Sequence, residues 1–516
     1  MNSEITSEDI WYKYEKDKDY KNRINLFEKV KQNENFMVGR QWEGVNAPDL
    51  PKPVFNIIKR IVNYLISVLV VDDIGIAFKD YNTQRDEKFK DILKKEIDRI
   101  NENTQFKSSL RMHLRNAAVD GDTALYVRFN PDVERAFQKG VQGEIEVETV
   151  DNTNIHFGNI ISNKIESQPY IIISKFEQTE VLKQRYSEKA DDIKADTDYD
   201  VLDDENNENI TTVLMYFYKK NGTVHYIECT RDCILKEETD TELKRYPIAY
   251  LTWEPVKHSC HGVGVVEEVI PNQIEVNKLW AMALLYQKSN AFPKTFIDGT
   301  KVSSWDNSPN SVIRVIGNPN EAIATSFKAS DMSNQIIQMV NQTISYTKEF
   351  MGANDAVLGN VNPQNTSALI QVQKASAAPL ELQRLSLYKF IEDYVRILLE
   401  IIRTSYGHRS VYSDREKAVE IVDFSQIGVD EDIYIDIGAA AFWSETAQIQ
   451  TMDNLFRSGI IQDAEIYVNS IPEKNLHNKN EILQHIKALK EQQQLLQQQA
   501  MHQGGTDNVQ MQMQMQ

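Results

Sequence analysis

Along the first 120 residues, apolar positions recur at helical spacing. Trp11, Tyr14, Ile24, Phe27 and Val30 form the skeleton of a charged segment and predict an amphipathic helix over 9–38. Gly39–Pro53, GRQWEGVNAPDLPKP, holds three prolines and two glycines and reads as irregular chain. Further helices are expected over 54–69, 84–102 and 106–120. After Gly121 the period changes. Leu125–Phe129, Tyr170–Ser174 and Val213–Tyr218 read as strands. Ile145–Val150 alternates apolar and acidic positions, as a half-buried strand does. Asn221-Gly222 predicts a tight hairpin turn into Val224–Glu228. Between these strands, residues 188–208 hold ten acidic and two basic side chains and predict an exposed, partly disordered insertion.

From Val265 the helical stripe returns, through Val266, Val269, Ile270, Ile274, Leu279, Trp280, Ala283 and Leu284. Pro271 is expected to kink or restart this helix. A compact β-like insert is expected over 291–325, and a second helix over 331–350. A polar loop rich in Gly and Asn follows, then a long helix over 367–406, bent at Ala377-Ala378-Pro379. Leu380–Ile402 is apolar around much of its circumference. Such a helix is buried on several sides, either as an ordinary helical core or by packing within its own subunit and against neighbours in a ring. A β-like stretch is expected over 417–437 and short helices over 444–490. Residues 492–516 contain 11 glutamines in 25 and predict a disordered end. The fold class that follows is α+β, predominantly helical.

Composition narrows the function. Only 20 glycines and 14 prolines in 516 residues favour long regular elements. With 57 basic and 76 acidic residues the net charge is -19, which argues against gripping phosphates by bulk charge. Residues 264–378 differ: nine acidic and eight basic side chains leave them near neutral. Three cysteines cannot build a disulfide framework, and the charged N-terminus has no apolar signal core, so a reduced, cytosolic origin is expected. The most apolar run, Ile61–Val71, is too short for a bilayer span of about 20 residues and reads as a buried helix.

Catalytic signatures are missing. Gly262–Gly264 lacks the third glycine of a dinucleotide fingerprint, where Glu267 stands instead. There is no G-x-x-x-x-G-K-[ST], G-x-S-x-G or H-E-x-x-H. Cys229, Cys233, His258, Cys260 and His261 are zinc-ligand types without zinc-ligand spacing, so structural burial is favoured over a metal. No catalytic residue, metal or cofactor is expected.

Several segments, in order, resemble the portal proteins of tailed double-stranded DNA bacteriophages. They are FMVGRQWEG (36–44) with PKPVFNIIKRIVNYL (51–65), AAVDGDTALYVRF (117–129) with its D-G pair, HGVGVVEEVIPNQIEVNKL (261–279) with Gln273 and Asn277, and NTSALIQVQKASAAPLELQRL (365–385). The resemblance implies the portal fold: a wing over 1–260 and 407–440, stem helices over 264–290 and 328–350, and a clip over 291–327. It further implies a channel loop over 351–366, a long kinked helix over 367–406, a crown over 441–490 and a Gln-rich tail over 491–516. It implies a dodecameric homo-oligomer at one capsid vertex of the virion, assembled in the bacterial cytoplasm with no membrane. Double-stranded DNA would pass through it during packaging and ejection. Terminase large subunit and head-completion or adaptor proteins would dock on the clip; major capsid and scaffolding proteins would be further partners. The clip docking candidates are Trp305, Asp306 and Asn310. The DNA-facing candidates are Asn354, Asp355, Asn360, Asn362 and Asn365, with Lys348 and Lys374 near the loop's ends. Another ring-forming head–tail connector, or an enzyme of unknown type, are the alternative readings.

Overall fold

The computed structural model describes residues 5–70, 76–80, 87–134, 142–196, 209–291, 294–302, 314–318, 324–327, 335–352, 378–413, 418–426, 433–437, 451–461, 463–471 and 481–490, and the single positions 306, 320, 449, 476, 478 and 479. It is mixed helix and sheet with helix the larger share, compatible with the α+β expectation. The chain divides into two compact units: Met1–Val71 with Phe78–Ile435, and Asp72–Ala77 with Asp436–Gln516.

The expected helix over 9–38 is two helices, α1 (Ser7–Arg23) and α2 (Leu26–Val38). A capping box starts α1: Thr6 Oγ1 accepts from Asp9 N, and the Asp9 carboxylate accepts from Thr6 N, each at 3.2 Å. Asn25, at φ 59°, breaks the helix with a left-handed residue that asparagine tolerates. α3 (Ile57–Leu69), strand β1 (Ile76–Asp80), α4 (Glu87–Asn103) and α5 (Phe106–Asp120) follow. α3 buries Ile58, Ile61, Val62 and Leu65, so the apolar run is a core helix.

Eight strands come next: β2 (Asp122–Glu134), β3 (Gln142–Asp151), β4 (Ile155–Phe157), β5 (Tyr170–Gln178), β6 (Ile210–Lys220), β7 (Thr223–Cys229), β8 (Ile234–Asp240) and β9 (Ile248–Thr252), with α6 (Thr179–Arg185) between β5 and β6. They form two antiparallel sheets, ordered β3-β2-β9 and β4-β5-β6-β7-β8. The Asn221-Gly222 hairpin is present, both residues at positive φ (55° and 91°), joining Lys220 and Thr223 in register. Side chains alternate across the five-stranded sheet. Ile171, Ile173 and Phe217 join Tyr126, Tyr246 and Ile248 in one core. Ile172, Leu214, Tyr216 and Ile227 face the other way and are covered by Ile10, Trp11 and Tyr14 of α1.

The acidic insertion departs from expectation at its start. Ile193 is buried with Leu182, Val213 and Leu235, and Asp196 Oδ2 accepts from Thr212 N at 2.6 Å. Lys189 Nζ also donates to Ile234 O at 2.7 Å, so this segment is docked despite its charge; residues 197–208 lie outside the described residues.

After the short pair β10 (Glu254–Pro255) and β11 (Gly262–Val263) comes α7 (Val265–Ala291), 27 residues or about 40 Å long. Pro271 does not restart it. The proline is on the exposed side, where water can serve the carbonyl that its missing N–H leaves unpaired. β12 (Lys294–Ile297) and β13 (Ala324–Phe327) pair antiparallel between α7 and α8 (Gln335–Phe350), so the β-like insert is where it was expected. Asn272 Nδ2 donates to Thr347 Oγ1 at 3.1 Å and ties α8 to α7. A 3-10 turn at Ala378–Leu380 precedes α9 (Glu381–Ser405); residues 367–377, the first part of the expected bent helix, lie outside the described residues.

α9 buries Leu387, Phe390, Ile391, Tyr394, Val395, Leu398 and Ile402, while Leu382 and Leu385 in its first turns stay exposed. Its one buried acid, Glu400, accepts from Lys244 N (2.6 Å) and Arg245 N (3.2 Å). β14 (His408–Ser413) pairs with β15 (Ala418–Asp423), and β16 (Ile433–Ile437) follows; β14 lies before the β-like stretch read over 417–437 but within the 407–440 β-like part that the resemblance implied. In the second unit, α10 (Ala464–Ser470) is capped by Asp463, which also holds Lys490 Nζ at 2.7 Å. Residues 451–457 and 481–490 are helical too; the tail over 491–516 lies outside the described residues.

Replacing Glu400 with Ala strips the part-buried Lys244 and Arg245 amides of their acceptor and is expected to lower stability by about 1–3 kcal/mol. Leu382→Ala, on an exposed turn, should cost under about 0.5 kcal/mol. Urea unfolding of the two variants checks both.

Candidate functional site

The segments quoted above from residues 36–65, 117–129 and 261–279 converge on the first turns of α7. Two kinds of contact join them there. The first is backbone against backbone. A Cβ on Gly264 would stand 2.6 Å from the Val119 carbonyl oxygen, and one on Gly262 would stand 2.8 Å from Gly121 O. The end of α5 and the start of α7 therefore touch with no side chain between them. Gly121, at φ 98°, turns the chain from α5 into β2, and Asp122 Oδ2 accepts from Gly262 N at 2.8 Å. The glycines that mimic a dinucleotide fingerprint serve this close approach.

The second contact is an amide network. Gln273, fully buried, donates from Nε2 to Phe55 O (2.9 Å) and to Asn277 Oδ1 (3.0 Å), and accepts from Ile57 N at Oε1 (2.9 Å). Asn277 Nδ2 donates to Gln41 Oε1 (2.7 Å), and Gln41 Nε2 to Phe36 O (3.2 Å). Asn56 caps α3 through Lys59 N and reaches Met37 O (3.0 Å); Trp42 Nε1 donates to Pro53 O (2.8 Å). The loop over 39–56, irregular in backbone, is thus held by side-chain amides.

Charge beside this root is paired. His261, 4 % exposed, lies 3.2 Å from Asp122 Oδ2. Burial alone would lower the pKa of His261, but Asp122 raises it to about 10, so the imidazolium persists at neutral pH. His113 has no such partner, and burial drives it down to about 4. Asp120 is pushed up to about 8 by burial and by Glu34 and Asp151.

Further out, α7 and α8 are bare. Met282, Leu284 and Leu285 on α7 and Ile337, Met339 and Tyr346 on α8 are exposed, and Phe350 at the end of α8 is 82 % exposed. Gly352 abuts the Pro379 ring, 3.6 Å from Cγ by a built Cβ. The chain therefore leaves α8 and returns to α9 at one point.

The sequence candidates fare unequally. Lys348 sits half-buried in the last turn of α8, and Asp306 is exposed. Trp305, Asn310, Asn354, Asp355, Asn360, Asn362, Asn365 and Lys374 lie outside the described residues. Cys229 and Cys260 belong to different cores, and among the described residues no group of three or more His, Cys, Asp or Glu is placed to hold a metal ion. Gln41 and Asn56 lay in segments singled out by resemblance, but their bonds were not foreseen.

The profile of the phage P22-like portal protein family matches residues 170–516, well over half of the chain. The chain belongs to this family. It is a phage portal protein, a component of the virion and a member of a structural rather than an enzymatic family. The matched span takes in β5–β9, the whole α7–α8 pair and α9. No curated protein sequence matches the chain. Among the described residues of this portal protein, no helix is long and apolar enough to cross a membrane.

Exchanging Gln273 for Leu in the portal protein leaves Phe55 O and Ile57 N without partners. We expect a loss of at least about 2 kcal/mol, read as a lower urea midpoint at unchanged slope.

Proposed function

We propose that the chain is one subunit of a closed dodecameric ring at a single capsid vertex, through which double-stranded DNA is packaged and ejected. One observation carries this reading: in a chain of the portal family, the paired helices α7 and α8 leave apolar side chains uncovered on both members. A ring covers such faces with the next copy, because head-to-tail contacts that close by rotation leave no end subunit exposed. In this reading α7 and α8 belong to the stem (264–290 and 328–350). β12 and β13 belong to the clip (291–327), and residues 351–366 form the channel loop. The wing takes 1–260 and 407–440, the crown 441–490.

The electrostatics suit a conduit. A subunit of net charge -19 repels phosphate when multiplied around a ring, and Lys348 and Lys374 supply only sparse contacts to a sliding duplex. The loop's Asn354, Asn360, Asn362 and Asn365 are short and uncharged, and Asp355 adds repulsion. Trp305, Asp306 and Asn310 on the clip are the proposed docking residues for the terminase large subunit and for head-completion or adaptor proteins. Major capsid and scaffolding proteins meet the outer surface during assembly in the host cytoplasm.

Native mass measurement of the purified protein should give a closed oligomer, and Leu285→Glu with Met339→Glu should give a folded monomer. Wild-type protein monomeric at every salt and concentration overturns the ring.

A second expectation concerns the loop. Deleting Val357–Pro363 should leave the oligomer intact, since Gly352 and Pro379 already meet, but impair packaging or retention of DNA in particles. Normal packaging and retention by the deletion variant would remove the channel role.

A further inference from the structure

The buried stripe of α1 changes character along its length. Ile10, Trp11 and Tyr14 are apolar; Asp17 and Lys21, which continue the same face, are charged and 4 % and 0 % exposed. Lys21 Nζ donates to Ile155 O (2.6 Å) and Thr153 O (3.0 Å), at the start of β4 and in the turn before it. Asp17 Oδ2 lies 3.6 Å from Lys21 Nζ and 2.8 Å from His156 Nδ1. His156, 1 % exposed, has Ser174 Oγ at 3.3 Å on its other nitrogen. Asp17 Oδ1 is buried with no hydrogen-bond partner. The docked end of α1 therefore depends on an acid, an amine and an imidazole, and the acid is already short of one bond.

Two further features make this a device rather than a plain core. α1 is the first helix of the described chain, and its junction with α2 is a break at Ile24–Asn25 with Asn25 left-handed. What α1 covers, Ile172, Leu214, Tyr216 and Ile227, is one face of a sheet whose other face has its own core. α1 can leave without unstitching a strand.

We propose that Asp17, Lys21 and His156 form a proton-operated latch, which holds α1 against the five-stranded sheet near neutral pH and lets it swing out about Ile24–Asn25 on acidification. The other ionisable groups around the latch are Tyr14 and Tyr20 on α1, Asp122 on β2, Tyr170 on β5, Tyr250 on β9, and Cys260 with His261 before β11. Asp122 and His261 compensate each other. A proton on His156 places a second cation 3.2 Å from Lys21 Nζ, and among the described residues Asp17 is the carboxylate in direct contact with both. Burial and then Lys21 lower the docked pKa of His156 from 6.5 to about 4. The released imidazole titrates near its ordinary value. Release therefore takes up a proton between pH 6.5 and 4, and the equilibrium for opening rises about tenfold per pH unit across that window. Asp17, held below the ordinary carboxylate value against the opposing effect of burial, adds its own proton only further down.

Hydrogen exchange of the full-length protein, corrected for intrinsic pH dependence, tests the latch. Amides of residues 10–23 should open about tenfold more per unit from pH 6.5 to 4, while β5 and β6 stay protected. His156→Gln keeps an amide donor toward Asp17 but cannot titrate in this range, so the slope should vanish. A paired variant, Asp17→Leu with Lys21→Met, replaces the ions by apolar side chains and should keep α1 docked at neutral pH with a slope still present, since His156 stays buried and still takes up a proton on release. Loss of protection in α1, β5 and β6 together at one pH overturns the proposal, as does an unchanged slope in His156→Gln. Should His156→Gln unfold at pH 7, exposing β4 and β5, the slope in His156→Phe, which fills the space without titrating, decides in its place.

Discussion

Everything near the root of α7 turns on one buried side-chain amide. Gln273 has no access to water, so both ends of its carboxamide need partners inside the protein. Phe55 supplies one from the end of the irregular loop, and Ile57 the other from the first residue of α3. The constraint works in both directions. The loop over 39–56 gains a fixed geometry that its sequence cannot impose, and α7 gains an orientation that apolar packing alone, being non-directional, would leave loose. Asn277 and Gln41 extend the same logic by one turn of helix. Polar residues in the stripe of α7 are therefore what sets its bearing.

Two electrostatic regimes coexist in this chain. The surface carries excess acid, and its ion pairs, such as Arg128 with Glu146, are half-exposed and worth little individually. The interior carries few charges, and each must be answered locally: His261 by Asp122, Lys21 by carbonyls and Asp17, Glu400 by two backbone amides. Net charge thus governs how the protein meets polyanions, whereas the buried pairs govern which elements stay together.

Periodicity made most elements legible. α3, α5, α7 and the strands β2, β3, β5, β6 and β7 lie within a few residues of where spacing put them, whereas β4, β8 and β9 were not read from it; Asn221-Gly222 foretold its turn because few residues accept two left-handed positions in succession. Other features were hidden for identifiable reasons. The apolar stripe read along α1 passes from Tyr14 to Ile24, and nothing local marks Asp17 and Lys21 as buried; Lys21 depends on carbonyls, and Asp17 on His156, more than 130 residues away. Pro271 signals a break in any local reading, and only its exposed position removes the penalty. Charge density in the acidic insertion masked Ile193, since composition averages over the one apolar side chain that it buries there. Of the candidate site, the convergence of three distant segments is a property of the tertiary fold. The segments could be singled out by resemblance, but no local rule says that Gln41, Phe55 and Gln273 meet.

The contact of Gly264 with the backbone of α5 has a mechanical consequence. Where two main chains touch directly, no rotamer can yield, so α7 can neither roll about its axis nor slide at that end. Among the described residues its far half has no such backbone contact: α8 packs along it, while Met282, Leu284 and Leu285 are bare. A rod clamped hard at one end and held more softly beyond it approaches a cantilever, whose tip deflection under a given side force grows with the cube of the free length. Displacements along α7 should therefore be nearly zero at residue 265 and greatest where β12 begins. Stiffness at one end and compliance at the other are set by two glycines and a few uncovered hydrocarbon side chains.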